Sequence, residues 1–161
     1  MTSTTSPASP SSPTERVVVG VDGSEPSKQA LRWGLFLART TGAELEAVTA
    51  WMFPALAASG GLWPAEWDPQ QDAVDALHRS VVEVFGEQPP VPVRETVAEG
   101  GAARVLLEVS KDARILVVGS RGHGGFSGLL LGSVSSACAE HAPGAVLVVH
   151  GETPPPPAVN A

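Results

Sequence analysis

Residues 16–42 read RVVVGVDGSEPSKQALRWGLFLARTTG, and this stretch decides the fold. Its opening, RVVVGVD (16–22), is a continuous apolar run that ends at Asp22. An unbroken run of this kind marks a strand buried on both faces, whereas a strand with one wet face alternates. Ser24 is then placed to cap a helix, Pro26 sits where a first turn tolerates it, and Gly42 is placed to end it. Between them Ala30, Leu31, Gly34, Leu37 and Ala38 recur at helical spacing, which gives the helix one face to lay on a sheet. A doubly buried strand followed at once by an amphipathic helix is the first half of a βαβ unit.

The same alternation continues outward. AELEAVTAW (43–51) reads as a second strand, and Asp68 with Pro69 opens a second helix that runs to about Gly86. VPVRETVA (91–98) alternates like a third, edge-like strand. GGAARVLLEVSKDA (100–113) supplies a third helix and RILVVGS (114–120) a fourth strand. SVSSACAEHA (133–142) supplies a fourth helix and GAVLVVH (144–150) a fifth strand. The expected fold is α/β: a single-domain, doubly wound, five-stranded parallel sheet in the order 3-2-1-4-5, with helices on both faces and right-handed crossovers. The domain is expected over residues 15–150. Residues 1–14 are almost entirely Ser, Thr, Pro and Ala, and 151–161 (GETPPPPAVNA) are proline-rich, so both are read as tails that cannot bury a core face.

Composition narrows the functional classes. Hydrophobic residues at 43% and charged residues at 17% place the chain among globular proteins. The net charge of −7, with only Lys28 and Lys111 beside scattered arginines, leaves no basic stripe for a nucleic-acid backbone. Cys138 is the single cysteine, so neither an intrachain disulfide nor a cysteine-based zinc site is available. The N-terminus lacks a basic or apolar targeting segment and no apolar run has spanning length, so the expectation is a soluble, cytoplasmic protein without membrane contact.

The chemistry is concentrated in GSRGHGGFSGLLLGS (119–133), which follows the fourth strand and contains six glycines. Such a cluster implies positive φ angles or something pressed close against bare backbone. In the order 3-2-1-4-5, Asp22 and this cluster stand at the carboxyl ends of neighbouring strands, at the point where connections diverge and ligands bind. Several motifs are excluded. A Walker loop needs Gly-Lys-Ser/Thr, and no lysine follows Lys111. The dinucleotide pattern fails at Ser127, where its third glycine belongs, and the nucleophile elbow is missed by one place. SGGLWP (59–64) has Trp63 where an ATP-pyrophosphatase loop needs aspartate.

What fits is Gly119, two residues, Gly122, nine residues, Gly132 and Ser133: G-x2-G-x9-G-S. With VVVGVDGSEPSKQAL near the start and LLLGSVSSACAEHAPGAVLVVH at the end, this closely resembles the universal stress protein family in its ATP-binding class, over essentially residues 15–150. The resemblance implies that Asp22 meets the ribose and adenine side of a nucleotide and that Ala50 gives adenine a backbone contact. It implies that Val118, Gly119 and Gly122 form the loop against ribose and phosphate, and that Gly132, Ser133 and Val134 hold the phosphates. A helix N-terminus with exposed N–H groups suits that role independently. Arg121 and His123 complete the candidate set, with the solvated-loop reading beside the phosphate-ligand reading. Family members often carry Arg or Lys at the His123 position, so a phosphate contact there would be weaker and pH-dependent. Ala145 stands where a proline is common before the last strand.

The resemblance further implies ATP as ligand, with any Mg²⁺ arriving on the phosphates and no protein metal site. It also implies a homodimer and an unidentified downstream protein partner. The expected function is a nucleotide-sensing regulatory or protective module in stress response, not a dedicated enzyme. One rival is a slow ATPase or phosphotransferase, which lacks a clear general base or P-loop lysine. The other is an interaction module that keeps the fold without nucleotide. Blander readings stand beside the site residues. Asp22 can serve as an Asx-type cap of the first helix. Cys138 and His141 fall with Val134 and Ala137 on a core-facing stripe, which outweighs a catalytic dyad. The four tryptophans read as packing, with Trp51 beside the expected adenine pocket.

Overall fold

The computed structural model describes residues 15–55, 59–61, 64–123, 130–151 and 153–157. The tail at 1–14, Trp63 and the loop interior at 124–129, including Ser127, lie outside the described residues.

The strands are β1 (Arg16–Gly20), β2 (Glu44–Trp51), β3 (Val93–Glu99), β4 (Ile115–Gly119) and β5 (Ala145–Val149). They form one five-stranded parallel sheet in the order β3-β2-β1-β4-β5. The helices are α1 (Glu25–Thr41), α2 (Pro69–Phe85), α3 (Ala102–Val109) and α4 (Ser133–His141). Val17, Val18 and Val19 of β1 are wholly buried, as a central strand with two covered faces requires. Val17 and Val19 pack with Ala30, Leu31 and Ala38 of α1 and with Leu77 and Val81 of α2. Val18 packs on the opposite face with Val105 and Leu106 of α3 and Cys138 of α4. The period-2 side-chain alternation of one strand thus divides the core into two layers.

Local chemistry sets the helix ends. The Ser24 hydroxyl accepts from the N–H of Ser27, Pro26 lies in the first turn, and Gly42 closes α1 in the left-handed region at φ +70°. Asp68 caps α2 by accepting from the N–H groups of Gln70 and Gln71, each at 3.0 Å. β1 ends two residues earlier than the apolar run suggests, yet the Val21 N–H still donates to the Val48 carbonyl at 2.8 Å. That bond holds the chain in line up to Asp22.

Polar groups inside the sheet are matched. Glu46, buried in β2, accepts from Arg16 at 2.5 Å and from the Thr96 hydroxyl at 2.7 Å, so its charge is compensated. Arg16 also donates to the Val109 carbonyl at 3.3 Å, which ties the end of α3 to the sheet. Among the described residues, no helix is long and apolar enough to cross a membrane.

Candidate functional site

β1 and β4 are neighbours, but β1 leads toward β2 on one side and β4 toward β5 on the other. Their carboxyl ends therefore diverge and open a cleft. Asp22, Ala50, Val118, Gly119, Arg121, Gly122, His123, Gly132, Ser133 and Val134 all line this one cleft. Every site residue expected from the sequence is thus brought together.

Asp22 is held rigidly. Its Oδ1 accepts from the Ser24 N–H at 2.9 Å and from the Ser24 hydroxyl at 2.5 Å, and its own N–H donates to the Ser27 hydroxyl at 3.3 Å. The Asx-type bonding expected as the bland reading is present, but it engages Ser24, which itself caps α1, and Oδ2 faces Gly122 of the loop after β4. Partial burial pulls the Asp22 pKa upward, but the Ser24 and Ser27 hydrogen bonds and the charge of His123 outweigh it, and the net shift is downward. The side chain is a carboxylate at neutral pH.

That shift has a consequence for stability. A carboxylate whose folded pKa lies below its unfolded value of about 3.9 stabilises the fold fully above that value, and the contribution disappears as pH falls through the folded pKa. The difference in melting temperature between wild type and Asp22→Asn is therefore expected to be present above about pH 5 and to shrink below about pH 4. Parallel melts across that range check it, and a gap that widens in acid would refute the assignment.

The loop after β4 is pinned at its base. The Ser120 carbonyl accepts from the Gly132 N–H at 2.7 Å and from the buried Ser135 hydroxyl at 2.8 Å, so the loop leaves and returns at one point. The Ser120 N–H donates to the Val149 carbonyl at 2.8 Å and continues the β4–β5 ladder. Gly119 and Gly122 serve close approach, not left-handed backbone. Neither Gly119, Gly122 nor Gly132 has positive φ. A Cβ on Gly119 would lie 2.8 Å from the backbone of Pro26, and one on Gly122 would collide with Asp22 Oδ2. The glycines thus let the β4 loop press on the α1 entry.

Two helix N-termini meet the cleft. α4 begins behind Gly132 and α3 behind Gly101, and no side chain caps either one. Their first N–H groups and partial positive charge suit an anion. Ser133 is exposed at the start of α4, whereas the Ser135 hydroxyl is committed to backbone carbonyls. Val48, Ala50, Leu106, Val118 and Val134 supply an apolar wall. The cleft therefore combines an apolar slot, a fixed carboxylate and an anion-favouring end.

Gly20, Val21, Ser27, Val48, Ala102, Leu106 and Ser135 also line the cleft and were not anticipated. Leu106 reaches it because Gly20 has no side chain; a Cβ there would lie 2.8 Å from Leu106 Cδ1. The only available signal was the helical i, i+4 spacing of Ala102 and Leu106 on α3. Cys138 is wholly buried and burial pushes its thiol up to about 11, so it is protonated and inert. His141, expected on the core-facing stripe, is instead exposed in the last turn of α4, 3.8 Å from Glu140. No dyad forms. Among the described residues, no group of three or more His, Cys, Asp or Glu side chains is arranged to hold a metal ion.

An alternating α/β sheet with a glycine-lined cleft at its switch point defines a doubly wound α/β domain, and comparison with known proteins gives its kinship. The universal stress protein family model matches residues 13–150. A universal stress protein of Mycolicibacterium smegmatis is 32% identical over 146 residues, covering 84% of this chain and 48% of the relative. Universal stress protein Rv2005c of Mycobacterium tuberculosis is 39% identical over 121 residues, covering 75% of this chain and 40% of the relative. Among solved structures, a universal stress protein in complex with cAMP aligns with a TM-score of 0.64 at 26% identity, covering 84% of this chain and 97% of that one. UspA from Lactobacillus plantarum, at 20% identity and a TM-score of 0.66 over 86% of this chain and 99% of its own, shares the fold. The chain belongs to the universal stress protein family. It spans about half the length or less of these curated relatives.

Proposed function

We propose that the cleft binds ATP and that the protein acts as a nucleotide-sensing regulatory or protective module. One observation carries this reading: the pinned G-x2-G-x9-G-S loop stands across the switch point from an ionised, rigidly held Asp22. The apolar wall of Val48, Ala50, Leu106, Val118 and Val134 suits a purine ring. Asp22 as a carboxylate accepts hydrogen bonds from ribose hydroxyls and repels phosphate, which directs the anionic end toward the uncapped start of α4. Gly122 and Ser133 then meet the phosphates, with Arg121 and His123 at the rim. The structural relative with cAMP bound supports an adenine nucleotide as the ligand class. Among the described residues no lysine lines the cleft, and Asp22 is its one carboxylate. Turnover is therefore expected far below the roughly 1 s⁻¹ low end of ordinary enzymes.

Asp22→Ala tests the reading. It removes a charged acceptor worth on the order of 1–3 kcal/mol, so ATP affinity is expected to fall by roughly 5- to 150-fold. Calorimetric titration measures this directly, and unchanged affinity would remove Asp22 from the site. Phosphate release that is fast in wild type and lost in Asp22→Ala would favour the ATPase reading instead.

A further inference from the structure

The segment after β5 does not trail away from the domain. Gly151 makes a left-handed turn at φ +58°, and the following chain passes back to α1, where the Trp33 indole N–H donates to the Thr153 carbonyl at 2.9 Å. One helical turn further along, Phe36 stands edge-on to Trp33 with ring centroids 5.9 Å apart at 83°. Within Thr153–Pro157 only Pro155 is half-buried, while Thr153, Pro154, Pro156 and Pro157 are exposed.

These features share one chemistry. A run of prolines has no backbone N–H and is confined near φ −65°, so it holds an extended helix of three residues per turn whose carbonyls lack internal donors. Such a segment presents its carbonyls to water or to an external donor and can lay one residue in three on an apolar surface. The Trp33 indole is such a donor, and the Trp33–Phe36 pair beside it offers such a surface. Because the segment is already stiff, little conformational entropy is lost on docking.

We propose that the outer face of α1 around Trp33 and Phe36 is a recognition site for proline-rich segments, and that its resident ligand is the chain's own Thr153–Pro157, docked in cis. The site is separate from the nucleotide cleft and does not depend on it.

The test follows the Trp33 indole N–H by NMR in the full chain, assigned through its disappearance in Trp33→Phe. A variant with Pro154, Pro155, Pro156 and Pro157 each replaced by Ser keeps the length but loses the stiffness. Its Trp33 indole proton is expected to shift and to exchange about tenfold faster than in wild type, the change expected for one hydrogen bond lost, while the other indoles stay in place. Adding the peptide TPPPP to this variant should restore the wild-type position saturably. An indole signal identical in the variant and wild type overturns the proposal, as does a variant that millimolar peptide leaves unmoved. A wild-type signal that changes on dilution would place the segment of a second copy on α1 and overturn docking in cis.

Discussion

Gly122→Val is expected to reduce ATP affinity by about 100-fold or more, a loss of roughly 2.7 kcal/mol or greater. Two physical effects coincide at this position. A Cβ on residue 122 collides with Asp22 Oδ2, so valine must push the carboxylate off its hydrogen bonds to Ser24 or lift the loop away from it. The branched side chain also occupies the mouth of the cleft, where a phosphate must approach bare backbone. Backbone strain plays no part, because Gly122 does not have positive φ. The domain should therefore stay folded while binding is lost. Calorimetry together with a thermal melt distinguishes the cases: native-like affinity in a folded variant would show that the Asp22–Gly122 approach is not part of the site.

Gly34→Val is expected to lower stability by about 1–3 kcal/mol, or roughly 2–12 °C in melting temperature. Gly34 lies in the middle of α1, where glycine costs about 1 kcal/mol relative to alanine in helix propensity. The packing explains its presence. A Cβ there runs into Val19 Cγ2 of the central strand and comes within 3.1 Å of Leu45 Cδ1. Both neighbours are wholly buried and have little room to yield. Overpacking therefore outweighs the propensity gain, and even Gly34→Ala should not stabilise the protein. A melting temperature equal to or above wild type in either variant would show that α1 does not ride directly on β1.

Much of this architecture was legible in the chain because its signals are local. The apolar run at 16–22, the caps at Ser24 and Asp68 and the stops at Gly42 and Gly86 place α1 and α2 without tertiary information. The third strand, expected at 91–98, begins two residues later and ends one residue later, at Val93–Glu99. Its start is set by pairing with Leu45 of β2, a long-range contact that alternation alone does not register. Most of the ten cleft residues were legible only through the family resemblance carried by G-x2-G-x9-G-S and the VVVGVDGS opening, and the order 3-2-1-4-5 places Asp22 opposite the glycines. Leu106 and Ala102 were not, since they depend on how closely α3 settles over Gly20. Composition reads 151–161 as unable to form a core, and it carries no sign that Trp33 would take up Thr153.

The central claim is that the glycine-lined cleft holds an adenine nucleotide with phosphates at the start of α4. Calorimetric titration of ATP into the wild-type chain, stripped of any nucleotide carried through purification, tests it most directly. The account predicts saturable binding at one site per chain, weaker for AMP because fewer phosphates reach Gly132 and Ser133. Absence of saturable binding by either nucleotide up to millimolar concentration would contradict it.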